Sequence, residues 1–156
     1  MRRITLTSAV LALLLIMLGG VAIAGATPQV KPDDSTARTL RFEVQFSDFF
    51  VVDVGEPNLS LGDYTVFHDL LFSHGERVGD EGGTCPVVDV SQGLIHCTGT
   101  IRLSGGQITF QGLTTTAPTK QVAITGGTGR YQDVSGQATL VEFGNGRGSL
   151  TVRLRR

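Results

Sequence analysis

The chain has no tryptophan, only two cysteines and three histidines among 156 residues, and just 17% charged residues. Two cysteines without a nearby pair of further ligands make a poor zinc site. The histidines, His68, His74 and His96, fall on alternate faces or in turns and form no ligand cluster. No Ser-His-Asp set lies in the strand-turn-helix context that a nucleophile elbow needs. A net charge of −1 excludes a basic nucleic-acid binder. The length leaves room for one domain, not for a multi-domain enzyme. There is no second long apolar run after the amino terminus, so a polytopic membrane protein is excluded. Amphipathic helical periodicity is missing too, and 21 glycines argue against a helical bundle.

What is present begins with an address. Arg2 and Arg3 form a positive start, Ala9 to Leu18 is apolar, and Gly19-Gly20 breaks that run. The small-x-small patterns Ala22-Ile23-Ala24 and Ala24-Gly25-Ala26 follow. Residues 1–26 therefore read as a secretory signal peptide, and the protein as secreted and free of the membrane once cleaved. An uncleaved anchor is the alternative, since nothing between Ile4 and Pro28 is charged. The Arg pair leaves the general and twin-arginine export routes open. Residues 27–38 are polar with two prolines and read as a flexible leader.

From residue 39 onward the pattern is strand. Leu40, Phe42, Val44 and Phe46 alternate with Arg41, Glu43, Gln45 and Ser47, and Phe49 to Val52 continues the run. Further strands are expected over 64–72, 84–90, 94–103, 107–113, 121–125, 137–143 and 148–154. Eight strands with short links mean antiparallel neighbours. Such a meander closes into a barrel and so removes its edges; a two-sheet sandwich is the competing fold. The pairs Gly82-Gly83, Gly105-Gly106 and Gly126-Gly127 read as hairpin turns that need positive φ. Gly126-Gly127-Thr128-Gly129 lacks the Lys-Ser/Thr and the helix of a phosphate loop. Tyr131 reads as core packing at the end of a turn.

Cys85 and Cys97 flank the turn signal Ser91-Gln92-Gly93. Two strands folded about it would bring the thiols together, and an oxidising compartment would join them. Metal binding and a reactive thiol are the other readings of this pair.

The chain resembles the allene oxide cyclase family and, more loosely, dirigent proteins. The resemblance rests on Gly62-Asp63-Tyr64-Thr65-Val66-Phe67, on Arg77-Val78-Gly79 leading to Gly83-Thr84-Cys85, on Gly106 to Gly112, and on Val122 to Tyr131 running into Gly136-Gln137. It implies an eight-stranded antiparallel barrel similar to lipocalins, often trimeric. It also implies an apolar lumen and cyclisation of a small molecule without a cofactor. By the same resemblance, Glu43 is the acid and Gln45 stands for its Asn partner. Phe67 lines the substrate, Asp69 replaces a following Asn, and Cys85 lines the cavity. Plain alternation puts Glu43 on the face opposite Phe42 and Val44, whereas the resemblance places it in the lumen.

Three functions fit this reading. The first is a secreted, cofactor-free cyclase or isomerase acting on an apolar molecule such as a fatty-acid epoxide or polyketide. Its catalytic residues would be Glu43, Gln45 and Asp69. The second is a lipocalin-like or dirigent-like barrel that only binds its ligand. The third is an interaction protein with a filled barrel. A buried acid in an open cavity selects the first, an open cavity without one the second, and no cavity the third.

Overall fold

The computed structural model describes residues 37–156. The segment read as signal peptide and leader, residues 1–36, lies outside the described residues. Eight strands follow: β1 (Arg38–Val52), β2 (Tyr64–Ser73), β3 (Glu76–Asp89), β4 (Leu94–Leu103), β5 (Gly106–Thr114), β6 (Thr119–Gly127), β7 (Ser135–Glu142) and β8 (Arg147–Arg155). They form one closed barrel in sequence order, each antiparallel to its neighbours, with β8 returning to β1. The sandwich alternative is thereby excluded. Arg38, assigned to the leader above, is the first strand residue and pairs with Leu154.

Alternation decides which side chains enter the barrel. In β8, Leu150, Val152 and Leu154 are buried, while Arg153 and Arg155 are exposed. In β1, Phe42 and Val44 are buried, and Glu43 and Gln45 are exposed. The register of β1 on β2 then skips one residue between Phe46 and Asp48. Ser47 is the extra residue of a β-bulge, and it reverses the parity of the strand. Phe46 faces inward before the bulge, and Phe49 and Val51 line the lumen after it. The Ser47 hydroxyl donates to the His68 carbonyl at 2.7 Å, tying the bulge to β2.

β3 is longer than its sequence suggests. It begins at Glu76, not at residue 84, so Gly82-Gly83 lies inside a strand and makes no turn. Three glycines and a run of charged residues over 76–83 hide the alternation there. The turn that precedes β3 is instead His74-Gly75, with φ of 53° and 80°, the paired positive values of a tight hairpin. Gly83 lies where a Cβ would press on the Thr98 carbonyl oxygen and approach the Phe67 ring to 3.0 Å.

The two ends of the barrel differ. Towards the β2–β3, β4–β5 and β6–β7 turns the interior is solid. Leu71, Ile101, Ile108 and Val152 are fully buried there. The 3-10 turn Gly129–Tyr131 adds Tyr131, and Val134 follows it into the core. Towards the β1–β2, β3–β4, β5–β6 and β7–β8 connections the interior is open.

Candidate functional site in the barrel lumen

The open half holds a cavity of about 570 Å³, a size suited to a small ligand. Its wall over β2–β5 is built in layers that follow the strand register. Nearest the mouth lie Val87, Ile95 and Thr114, and below them Thr65, Cys85, Cys97 and Gly112. The cysteines form a disulfide across β3 and β4, with their Cα atoms 4.1 Å apart. It spans the hairpin whose turn is held by Asp89, which accepts from Ser91 Oγ at 2.7 Å and the Gln92 amide at 3.1 Å.

One layer deeper, Phe67, Gly83, Gly99 and Phe110 stand side by side on four strands. The two glycines leave space that the flanking rings fill: a Cβ at Gly99 would strike Phe110, as one at Gly83 would crowd Phe67. Aromatic rings laid over strand glycines restore packing that the glycine itself cannot give.

The next layer is Asp69, Glu81, Ile101 and Ile108. Asp69 and Glu81 are direct cross-strand partners on β2 and β3. Both are buried, at 5% and 4% exposure, and both line the cavity. Beneath them the packed core begins with Leu71. The two carboxyls thus form the floor of an apolar well.

Burial pushes the Asp69 carboxyl up to about 6, and Glu142 adds to the rise; the Ser47 amide and His68 act the other way. Burial pushes Glu81 further, to about 8, with the neighbouring Asp69 charge adding to it. Two adjacent carboxyls in a dry site resist both being ionised, so their protons leave in separate steps. At neutral pH the floor carries one carboxylate, chiefly on Asp69, and one carboxylic acid, on Glu81. That is a base and an acid side by side.

A second polar point lies on the wall from β6 and β7. Lys120 Nζ donates to Glu142 Oε1 at 2.6 Å and to the Ala117 carbonyl at 2.9 Å. Asp63, at the rim, is bound into the β1–β2 loop. It accepts from the Val54 amide at 2.9 Å, the Ser60 amide at 2.6 Å and the Ser60 hydroxyl at 3.1 Å. These hydrogen bonds, that from Val54 first, hold its carboxyl below the ordinary range. Among the described residues no group of three or more His, Cys, Asp or Glu side chains is arranged to hold a metal ion.

Of the residues singled out from sequence, Phe67, Asp69 and Cys85 line the lumen. Glu43 and Gln45 do not. Both are exposed on the outer face, where Glu43 is the cross-strand partner of Phe72 and Ser149. The reason is parity. The bulge that reverses β1 comes at Ser47, after these positions, so Phe42 and Val44 keep the inner face. A lumenal acid is present, but it comes from β3. Period two counted back from Cys85 through Gly83 reaches Glu81, a signal that the glycines and charges over residues 76–83 obscure. Lys120 and Glu142 were also missed; they are in phase with Val122 and Leu140, which line the same wall.

The site is therefore a closed eight-stranded barrel with a mouth at one end, an apolar well and a polar floor. The chain belongs to the allene oxide cyclase barrel-like domain family, whose model matches residues 38–153. No curated protein matches it. Among solved structures it is similar to a pyocyanin demethylase, with 30% identity and a TM-score of 0.69 over 76% of this chain and 100% of that one. It also shares its fold with the Diels–Alderase AbmU from Streptomyces koyangensis, with 14% identity and a TM-score of 0.66 over 78% of this chain and 65% of that one. A pterocarpan synthase dirigent protein, with 20% identity and a TM-score of 0.57 over 76% and 82%, has the same fold.

Proposed function

We propose that this chain is a secreted enzyme that rearranges or cyclises an apolar small molecule in its lumen, with Asp69 and Glu81 as base and acid. The observation that carries this reading is the placement of two cross-strand carboxyls, both buried, at the floor of an otherwise apolar cavity. Burying carboxyls without need is costly, and a stable fold alone would be better served by two aliphatic residues at these positions. A carboxylate that takes a proton from the bound molecule and a carboxylic acid that returns one to another atom give a redox-neutral isomerisation. The apolar walls hold the molecule in one conformer and keep water out. Catalysis among the similar structures, a demethylase and a Diels–Alderase by name, is in keeping with this. The disulfide suits an oxidising compartment and hence export.

The test begins with mass spectrometry of the small molecules that co-purify with the secreted protein, followed by their turnover. Glu81→Gln is expected to keep ligand affinity and lower turnover by roughly 10²–10⁴. Asp69→Asn is expected to lower turnover to a similar degree. A ligand that is bound tightly and recovered unchanged from wild-type protein would identify the barrel as a binding module instead.

A further inference from the structure

The charges that line the cavity are unequal. Asp63, Asp69, Glu81 and Glu142 contribute carboxyls, and Lys120 is the one basic side chain among the lining residues. Lys120 is already committed, to Glu142 and to the Ala117 carbonyl. Among the described residues, no lysine, arginine or histidine forms an ion pair with Asp69 or Glu81; the ion pairs present engage Asp48, Asp80 and Glu142. Asp69 has the Ser47 amide as a neutral donor but no cation, whereas buried charges in folded proteins are ordinarily paired with an opposite charge.

The surroundings of this floor are aromatic. Phe46 is the cross-strand partner of Asp69 on β1, and Phe67 precedes Asp69 by two residues on the same face of β2. Phe49 pairs with Phe67, and Phe110 closes the opposite side of that layer. Ring faces attract positive charge, most strongly where water is excluded, and such aromatic enclosures suit quaternary and other diffuse organic cations.

We propose that the lumen selects an organic cation, an aromatic or quaternary ammonium-type molecule, seated among the phenylalanine rings with its charge over the Asp69–Glu81 floor. This rests on reading the lumen as the ligand site, and it replaces the fatty-acid class suggested by family resemblance. A carboxylate ligand would meet an excess of negative charge and no free basic group among the lining residues. A cation instead supplies the missing partner of Asp69, while its apolar groups fill the well. The same arrangement favours a reaction in which positive charge is present or grows on the bound molecule.

The test uses three probes of similar size at pH 7.5: benzyltrimethylammonium, 3-phenylpropan-1-ol and 3-phenylpropanoate. Their Kd values for the purified disulfide-bonded protein are measured by titration calorimetry. The cation is expected to bind at least tenfold more tightly than the anion, with the alcohol between them. Asp69→Asn is expected to remove most of that preference and leave affinity for the alcohol unchanged. Lys120→Met, which frees Glu142, is expected to widen the preference; it serves as the second variant should Asp69→Asn fail to fold. Equal binding of cation and anion, or a preference for the anion, would overturn the inference and leave the lumen as a ligand site. Binding of none of the three would overturn the ligand-site reading as well.

Discussion

The closed and open halves of this barrel are made from the same strands, yet they solve opposite problems. In the closed half, inward residues are mostly aliphatic, with Phe42 and Tyr131 among them, and the interior is filled: Leu71, Ile108 and Val152 have no exposed surface. In the open half, the inward positions alternate between rings, glycines, threonines and carboxyls, and they leave a well. The exposed surfaces differ in the same sense. Every large apolar side chain that is exposed among the described residues belongs to the mouth half, including Phe49, Phe50, Leu59, Leu61, Leu113 and Phe143. A barrel of eight strands is just wide enough to be filled by its own side chains or to hold one small ligand. Here one half takes each course. Stability is concentrated where the core is solid, and the proposed chemistry where packing is relaxed.

The sharpest way to break this comparison is through the floor that separates the halves. Glu81 has a folded-state carboxyl at about 8, well above its ordinary 4.5. The folded protein therefore holds this proton after the unfolded chain has released it. The sign follows: stability is greatest below the unfolded value and falls as pH rises from about 4.5 to about 8, then levels off. Asp69, raised to about 6, adds a smaller fall over the lower part of that window. Urea unfolding at pH 5 and pH 9 is expected to differ by on the order of 3–5 kcal/mol in the wild-type protein, and Glu81→Gln to abolish most of that difference. A wild-type stability that does not change between the two pH values would remove the buried acid from the argument.

A second contrast sets a filled position against a rim position. Leu71→Ala is expected to cost about 2–5 kcal/mol, because the closed half cannot collapse into the void. Phe49→Ala, at a residue 65% exposed, is expected to cost under about 0.5 kcal/mol. Comparable shifts in denaturant midpoint for the two would mean that the halves are not energetically distinct. The disulfide braces the relaxed half, so Cys97→Ala is expected to lose about 2–4 kcal/mol. Reduction of the wild-type protein is expected to have the same effect, with hydrogen exchange rising in β3 and β4 near the mouth more than in β8. The smallest effect is assigned to Glu43→Gln on the outer face. Stability within about 0.5 kcal/mol of wild type and unchanged turnover are expected, and a large loss of turnover would return catalysis to β1.

Much of the architecture was legible because it is a matter of period. The alternation in β1, β2, β4 and β8 marks strands whichever way they pair, and short links between them allow few topologies. The hairpin about Ser91 to Gly93 brings Cys85 opposite Cys97 by the same logic. Phe67 and Asp69 could be placed on one face from spacing alone. The early part of β3 was illegible because glycine and charge obscure its alternation, and with it went Glu81.

By itself, then, the amino-acid sequence determined a run of antiparallel strands with short links, the hairpin that brings Cys85 opposite Cys97 and one face shared by Phe67 and Asp69, since each follows from local periodicity and turn chemistry; that the strands close into a barrel, β8 on β1, was decided by the tertiary structure. Which acid faces the lumen was decided only by the tertiary structure. One extra residue at Ser47 sets the parity of β1 after Glu43 has already been turned outward, and strand pairing carries Glu81 to the side of Asp69 across a turn of positive φ. The chemistry of that pair is likewise a tertiary property. A carboxyl is raised towards neutrality by the apolar surroundings and the second carboxyl that the closed barrel brings to it, and neither lies next to it in the chain.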